Sequence, residues 1–327
     1  MSCAAARSIA VKLYAETRLG RDPASEREEA LAAQDETFGG PLPTYLERRR
    51  ERLRPRSLVE KRRHLLVNAN PLHRLPLAKT GRRDIARLIA EIGVSSGPGA
   101  ANDTLKDISA YLAWCMREGL VDVNAAAGAN RFPHRSRERA LTDDEIVRIW
   151  QATADDSDYS ALVQLLGLTG ARRRELGDLR WDELDLDAGR ITLPPERTKT
   201  GKPFVIPLSP PALAILKARR VERSRLRCPW GTAWAAGKAA LDKRSGTSGW
   251  RLHDWRRTLS TRLHEDLNGA PHLVEAILGH AIGGGGISSV YNRSTYFDER
   301  RRLLCQWADH LLAIAEGRES KIVILRA

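Results

Sequence analysis

Six polar residues, each in its own short setting, are the types that could cut a phosphodiester without a metal. In chain order they are Arg172 in Thr169-Gly170-Ala171-Arg172-Arg173-Arg174-Glu175, Lys199 in Thr198-Lys199-Thr200-Gly201-Lys202, and His253 with Arg256 in Leu252-His253-Asp254-Trp255-Arg256-Arg257-Thr258. His280 follows in Leu278-Gly279-His280, and Tyr291 in Val290-Tyr291-Asn292-Arg293. Phosphodiesters resist nucleophiles because their own charge repels attack and the alkoxide leaves poorly, so their cleavage is mostly positioning and charge stabilisation. Arginines can neutralise that charge, imidazoles and an ammonium can move protons, and a phenol can attack.

Each setting also has a bland reading. A TGxRxxE run is often a surface ion pair, a lysine at a hairpin tip is usually solvated, and HxxR is common. A histidine after glycine can simply cap a helix, and a lone tyrosine is most often core or surface. The local signals nevertheless place these residues. Leu162, Val163, Leu165, Leu166 and Leu168 predict a buried helix that stops at Thr169-Gly170, where glycine can take the left-handed backbone state. Arg172 then stands at a helix start, beside unpaired backbone N–H groups that favour anions. Glu175, three residues on, is expected to hold its guanidinium by a bidentate pair. Residues 190–193 and 203–208 read as a hairpin whose turn holds Lys199 and Lys202. His253 and Arg256 point the same way on a helix. Ala276 to Leu278 close a hydrophobic helix on Gly279, and Leu303, Leu304, Trp307, Leu311 and Leu312 form an amphipathic stripe beyond Tyr291.

The chain has 327 residues and a formal net charge of +13, which favours a polyanionic partner over a merely basic soluble protein. The excess sits mainly in residues 41–140, which carry +10, against −2 before them and +5 after. Four cysteines form no CxxC and no zinc spacing, and no disulfide framework is suggested. With no apolar run near a membrane span and no signal peptide, a soluble, cytoplasmic protein is expected. Upstream of the six residues, Ile85, Leu88, Ile89 and Ile92 recur at helical spacing, as do Leu105, Ile108, Leu112 and Met116. Gly93 to Ala101 between them, rich in Gly, Ser and Pro, reads as a loop. A basic linker precedes Thr142-Asp143-Asp144-Glu145, which has capping-box spacing.

In order and setting the six residues resemble those of the tyrosine recombinases, the phage-integrase family. The likeness covers about residues 37–327 and is strongest from 141 to 310; Leu179-Arg180-Trp181 after the first box and Thr261-Arg262-Leu263 after the second belong to it. It implies a mainly α fold with a small antiparallel β-sheet, arranged as a helical core-binding domain and a catalytic domain that together clamp duplex DNA. The expected division is 37–131 for the core-binding domain, 132–140 for the basic linker and 141–327 for the catalytic domain. Residues 1–36, with Ala15 to Ala24, resemble the end of an arm-type DNA-binding domain whose small sheet is missing here, leaving a helical remnant. The segment reads as a charged helix interrupted near Gly20.

What the resemblance implies about roles follows residue by residue. Arg172 and Arg256 would bind the non-bridging oxygens, with His280 adding a hydrogen bond and Glu175 supporting Arg172. Tyr291 would form a 3′-phosphotyrosyl bond and release a 5′-hydroxyl. Lys199 would protonate that leaving oxygen, with Lys202 the weaker candidate, and His253 would assist at the tyrosine or orient the phosphate. No metal or other cofactor is called for. Arg48, Arg49, Lys61, Arg62 and Arg63, with Arg135 and Arg137 of the linker and Lys202, would track the DNA backbone. The implied partners are double-stranded DNA with attachment-type sites, three further copies of the chain in a homotetramer on DNA, and optionally a DNA-bending accessory protein.

The chain departs from the pattern before Tyr291. The eleven-residue step from His280 is longer than the family's usual one and contains Gly283 to Gly286, a run that costs entropy to order. Such slack would let Tyr291 move or reach a neighbouring subunit, with Tyr296 as reserve nucleophile. The stripe on the last helix is expected to pack into a neighbouring subunit rather than on its own domain. Two other functions share these features: DNA relaxation of the type IB topoisomerase kind, and non-catalytic DNA binding by a remnant of a mobile element.

Overall fold

The computed structural model describes residues 36–133, 138–155, 157–198, 200–219, 234–280 and 295–318, with 7, 8, 11, 14, 15, 17 and 18. It divides into two compact units, Met1–Ser136 and Arg137–Ala327. Among the described residues the architecture is mostly helical with one small antiparallel sheet. Among the described residues no helix is long and apolar enough to cross a membrane.

The first unit contains α1 (Leu42–Arg50), α2 (Pro55–Arg62), a π-helical turn (Arg63–Asn68), α3 (Arg82–Ser96) and α4 (Pro98–Arg117). Ile85, Leu88, Ile89 and Ile92 of α3 are buried with Leu105, Ile108 and Leu112 of α4, while Met116 turns outward at 43% exposure. The loop expected over 93–101 is not there. Gly97 alone breaks the helical run, at φ +89, and Pro98 starts α4 at the position where its missing N–H is harmless. Gly93 is inside α3 because Phe132 packs on it: a Cβ there would lie 2.2 Å from the ring. The glycine signalled close packing, not a turn.

The second unit begins with α5 (Asp143–Gln151), whose Thr142 and Glu145 form the expected capping box. Then come α6 (Asp158–Thr169), the short α7 (Arg173–Gly177), β1 (Leu184–Asp185), β2 (Arg190–Leu193) and β3 (Phe204–Pro207). The strands lie in the order β1-β2-β3, all antiparallel, with Ile191 opposite Ile206 in the register that buries both. Among the described residues five helices follow: α8 (Pro210–Ala218), α9 (Trp234–Ser245), α10 (Leu252–Glu265), α11 (Pro271–Ile277) and α12 (Phe297–Glu316). Leu162, Val163, Leu165, Leu166 and Leu168 of α6 are all buried, so α6 runs through the centre of this unit.

The stripe on α12 is covered by its own unit, contrary to the expectation of exchange. Leu303, Leu304, Trp307 and Leu311 are buried in the core that holds α6 and α10, and Leu312 is half-buried. Trp307 Nε1 donates to Gly167 O of α6 at 2.8 Å. A side chain at Gly167 would press on the Trp255 ring at 3.2 Å, so glycine lets three elements meet there. An indole sealed from water with its N–H paired is a strong anchor.

Candidate active site

Gly170 ends α6 in the left-handed state at φ +63, its N–H bonded to Leu166 O. Two residues later Arg172 caps α7. Its backbone N–H donates to Glu175 Oε2 and its Nη1 to Oε1, both at 2.7 Å. The anticipated bidentate pair with the guanidinium is therefore split: one carboxylate oxygen caps the helix and the other holds the side chain. Glu175 is 5% exposed, whereas the Arg172 side chain keeps 30% of its surface open. Arg197 secures the helix from below by donating to Arg174 O at 3.0 Å and Glu175 O at 2.9 Å.

On α10, Asp254 accepts from Arg251 N–H at 2.8 Å and fixes the start of the helix. Arg256, one turn in, is 5% exposed. Its Nη1 donates to Gly170 O at 2.7 Å, and its Nη2 donates to Leu278 O and faces His280 Nε2 at 3.4 Å. Burial first, and the nearby charge of Arg172 second, push its pKa down to about 10, against the pull of Glu175 and Glu275. It stays a cation at neutral pH. His253 keeps an exposed edge, but desolvation and then the charges of Arg256 and Arg257 hold its pKa below the usual imidazole range, with Asp254 opposing.

Gly170 thus ends one helix and presents its carbonyl to the arginine of another. A Cβ there would lie 2.9 Å from Leu259 Cδ1 in a backbone state that costs an L-residue about 1–2 kcal/mol. Gly170→Ala is expected to lose at least that much stability in urea unfolding. It is also expected to slow any DNA cleavage more than it weakens DNA binding, because the Arg256 anchor shifts.

Helix α11 ends in a Schellman cap: His280 N–H donates to Glu275 O at 3.0 Å and Gly279 N–H to Ala276 O at 3.1 Å. Gly279 sits at φ +59 against the Phe204 ring. Glu275 holds His280 a second time, through Oε2 at 2.6 Å from Nδ1. Arginine can only donate, so the contact with Arg256 makes Nε2 the acceptor and leaves the proton on Nδ1, toward Glu275. The ring is oriented with its lone pair toward the arginines.

A cavity of about 550 Å³ opens beside these groups, lined by Arg172, Lys202, Phe204, His280, Thr295 and Arg300 among others. The hairpin turn is pinned by Thr198 Oγ1, which donates to Lys202 O at 2.6 Å. The structure thus brings together Arg172, Glu175, Lys202, Arg256 and His280, with His253 close enough to feel both arginines. Lys199 and Tyr291, the glycine run, and Arg135 and Arg137 of the linker lie outside the described residues. Tyr296 precedes α12 at φ +47, its ring edge-on to His272 and not on the cavity wall.

In the first unit the basic residues are differently engaged. Lys61 is 12% exposed and ion-paired with Asp107, which also meets His64 Nδ1 at 2.7 Å. Arg48 pairs with Glu118 at 2.6 Å and lies over Trp114; Arg63 pairs with Glu60 at 3.1 Å. Arg49 stacks over Tyr45, and Arg62 is exposed. Lys61 is built as an internal strut, and Arg49 and Arg62 are the members freest to meet a phosphate.

Sequence reasoning missed Glu275 and Arg300. Glu275 stands five residues before His280, a step that no helix-face rule pairs, and only the cap geometry folds it back. Arg300 looks like one more charge in Glu299-Arg300-Arg301-Arg302.

Residues 139–296 match the model of the phage integrase family. The chain is 34% identical to prophage integrase IntA of Escherichia coli K12 over 227 residues, which is 64% of this chain and 54% of that protein. It is 30% identical to prophage integrase IntZ of the same strain over 210 residues, 62% and 51% of the two chains. It therefore spans about half the length of the curated relatives it matches. Tyrosine recombinase XerC of Xanthomonas campestris is 32% identical over 152 residues, 42% of this chain and 46% of that one. Among solved structures, a lambda integrase tetramer bound to a Holliday junction superposes with a TM-score of 0.66 at 19% identity, over 86% of this chain and 89% of that one.

Proposed function

We propose, from the match of residues 139–296 to the phage integrase family model, that the chain is a member of that family and a site-specific DNA recombinase. It would cut and rejoin duplex DNA through a 3′-phosphotyrosyl intermediate to integrate or excise a mobile element. The observation that carries this reading is that Arg172 and His280 line one open cavity while Arg256, close enough to feel the Arg172 charge, meets His280 from another helix.

In this reading the open part of the Arg172 guanidinium and the anchored Arg256 hold the non-bridging oxygens of the scissile phosphate, whose charge would otherwise repel a nucleophile. His280, steadied by Glu275, presents Nε2 to the same oxygens and donates once that nitrogen is protonated. His253, with its pKa held low, is neutral at neutral pH and suited to accept the phenolic proton as Tyr291 attacks. Lys199 protonates the departing 5′ oxygen; Lys202, on the cavity wall, is the alternative donor. The phosphoester is conserved in the covalent bond, so a 5′-hydroxyl from another duplex can reverse the step without ATP. The arrangement of the lambda integrase tetramer suggests four protomers on two duplexes, with Arg49 and Arg62 among the groups that track the backbone.

The test is covalent trapping. On a nicked suicide duplex carrying an attachment site from the flanks of its own element, the protein is expected to leave a protein–DNA adduct stable to denaturant. Clean binding to that site with no adduct would sink the enzymatic reading and leave a DNA-binding protein.

A further inference from the structure

Among the described residues two arginines are nearly sealed from solvent, Arg256 at 5% exposure and Arg300 at 3%. They are built alike. Each donates to backbone carbonyls: Arg256 to Gly170 O and Leu278 O, and Arg300 through Nη1 to Val205 O at 2.8 Å and Ala276 O at 3.4 Å. Leu278 and Ala276 both lie at the C-terminal end of α11, so one helix end orients both guanidiniums, with the negative end of its dipole beside them.

Carbonyls satisfy N–H groups but bring no counter-charge. Among the described residues neither arginine has a carboxylate within ion-pair distance, and Arg300 adds only the face of Phe204, 5.9 Å from its central carbon. A buried cation left in that state is a costly arrangement for a fold to keep. Arg300 also has donors to spare: Nη1 is engaged, whereas Nε has no partner, and a guanidinium carries five N–H groups. It lines the cavity that Arg172, Lys202 and His280 share, where the carboxylate of Glu175 is already taken by Arg172. Three cationic side chains, Arg172, Lys202 and Arg300, thus line one cavity.

We propose that Arg300 is a third arginine of the phosphate site, taking a charged oxygen of the scissile phosphodiester from the α12 side. This rests on the recombinase reading above. Arg172 and Arg256 would approach the phosphate from α7 and α10, and Arg300 would close the opposite wall, on the helix that follows the nucleophile segment.

The test separates a charge contact from a brace. Single-turnover cleavage by wild type, Arg300→Gln and Arg300→Lys is measured on two suicide duplexes, one with the natural phosphodiester at the cut position and one with an uncharged methylphosphonate there. Gln keeps one amide donor for the carbonyls but removes the charge; Lys keeps a charge on a stem that withdraws it. On the diester the Gln variant is expected to lose at least about tenfold in rate, with DNA affinity within about threefold of wild type. On the neutral linkage that penalty should shrink to within about threefold, because no charge remains to be met. An equal penalty on both linkages would make Arg300 a brace and overturn the proposal. Should Arg300→Gln fail to fold, Arg300→Lys is judged by the same comparison. Absence of cleavage by the wild type on its own site would overturn the recombinase reading and the proposal with it; normal wild-type cleavage with an unchanged penalty ratio overturns the proposal alone.

Discussion

A Tyr291→Phe protein is expected to bind duplex DNA as the wild type does and to form no covalent adduct at all. The substitution removes one oxygen and leaves the ring, so binding carried by basic side chains should not notice it. The measurement is a denaturing gel of the suicide-substrate reaction alongside a native gel for affinity. Adduct at wild-type yield would move the nucleophile elsewhere. Tyr296 would then be tested next, although its backbone is held at φ +47 and its ring faces His272 rather than the cavity.

Arg256→Ala is expected to reduce the cleavage rate by roughly a hundredfold or more, the usual scale for losing a charged transition-state donor from a preorganised site. It should also lower stability, because Gly170 O and Leu278 O lose their partner in the interior, at about 1–3 kcal/mol for each carbonyl left unpaired. The two effects are separable. Arg256→Lys keeps a charge and can serve one carbonyl, so it should recover part of the stability but little of the rate, since one ammonium cannot span two carbonyls and a phosphate. Cleavage within a few-fold of wild type in Arg256→Ala would remove this arginine from the reaction.

The parts of the site that the sequence announced are those set by local rules. Gly170 ends a helix because its φ is positive, Arg172 and Glu175 meet because they are three apart at a helix start, and Thr142 with Glu145 makes its box for the same reason. What stayed hidden depends on the chain folding back. Glu275 reaches His280 only through the turn that ends α11, and Arg300 is distinguished from its two arginine neighbours only by what buries it. The stripe on α12 was readable as apolar, but an apolar face does not say which surface will cover it. Here α6 and α10 do. The glycine and proline signals at 93–101 misled because glycine serves close packing as well as turns, and proline begins helices as readily as it ends them.

The seating of α12 also sets the length of a leash. Trp307 is tied to Gly167 in the core, and Thr295, just ahead of the helix, stands on the cavity wall. Tyr291 is four residues back along the chain, and covalent geometry lets four residues span at most about 14 Å. Whatever path the glycine run takes, the Tyr291 Cα can lie no farther than that from Thr295, so the reach of the phenol is a sphere centred on Thr295 of its own protomer. Its local concentration there is high by tethering alone. Any hand-over of the tyrosine to a second protomer becomes a question of distance: the recipient phosphate must enter that sphere, which requires the two protomers to be pressed together on DNA before the first bond is cut.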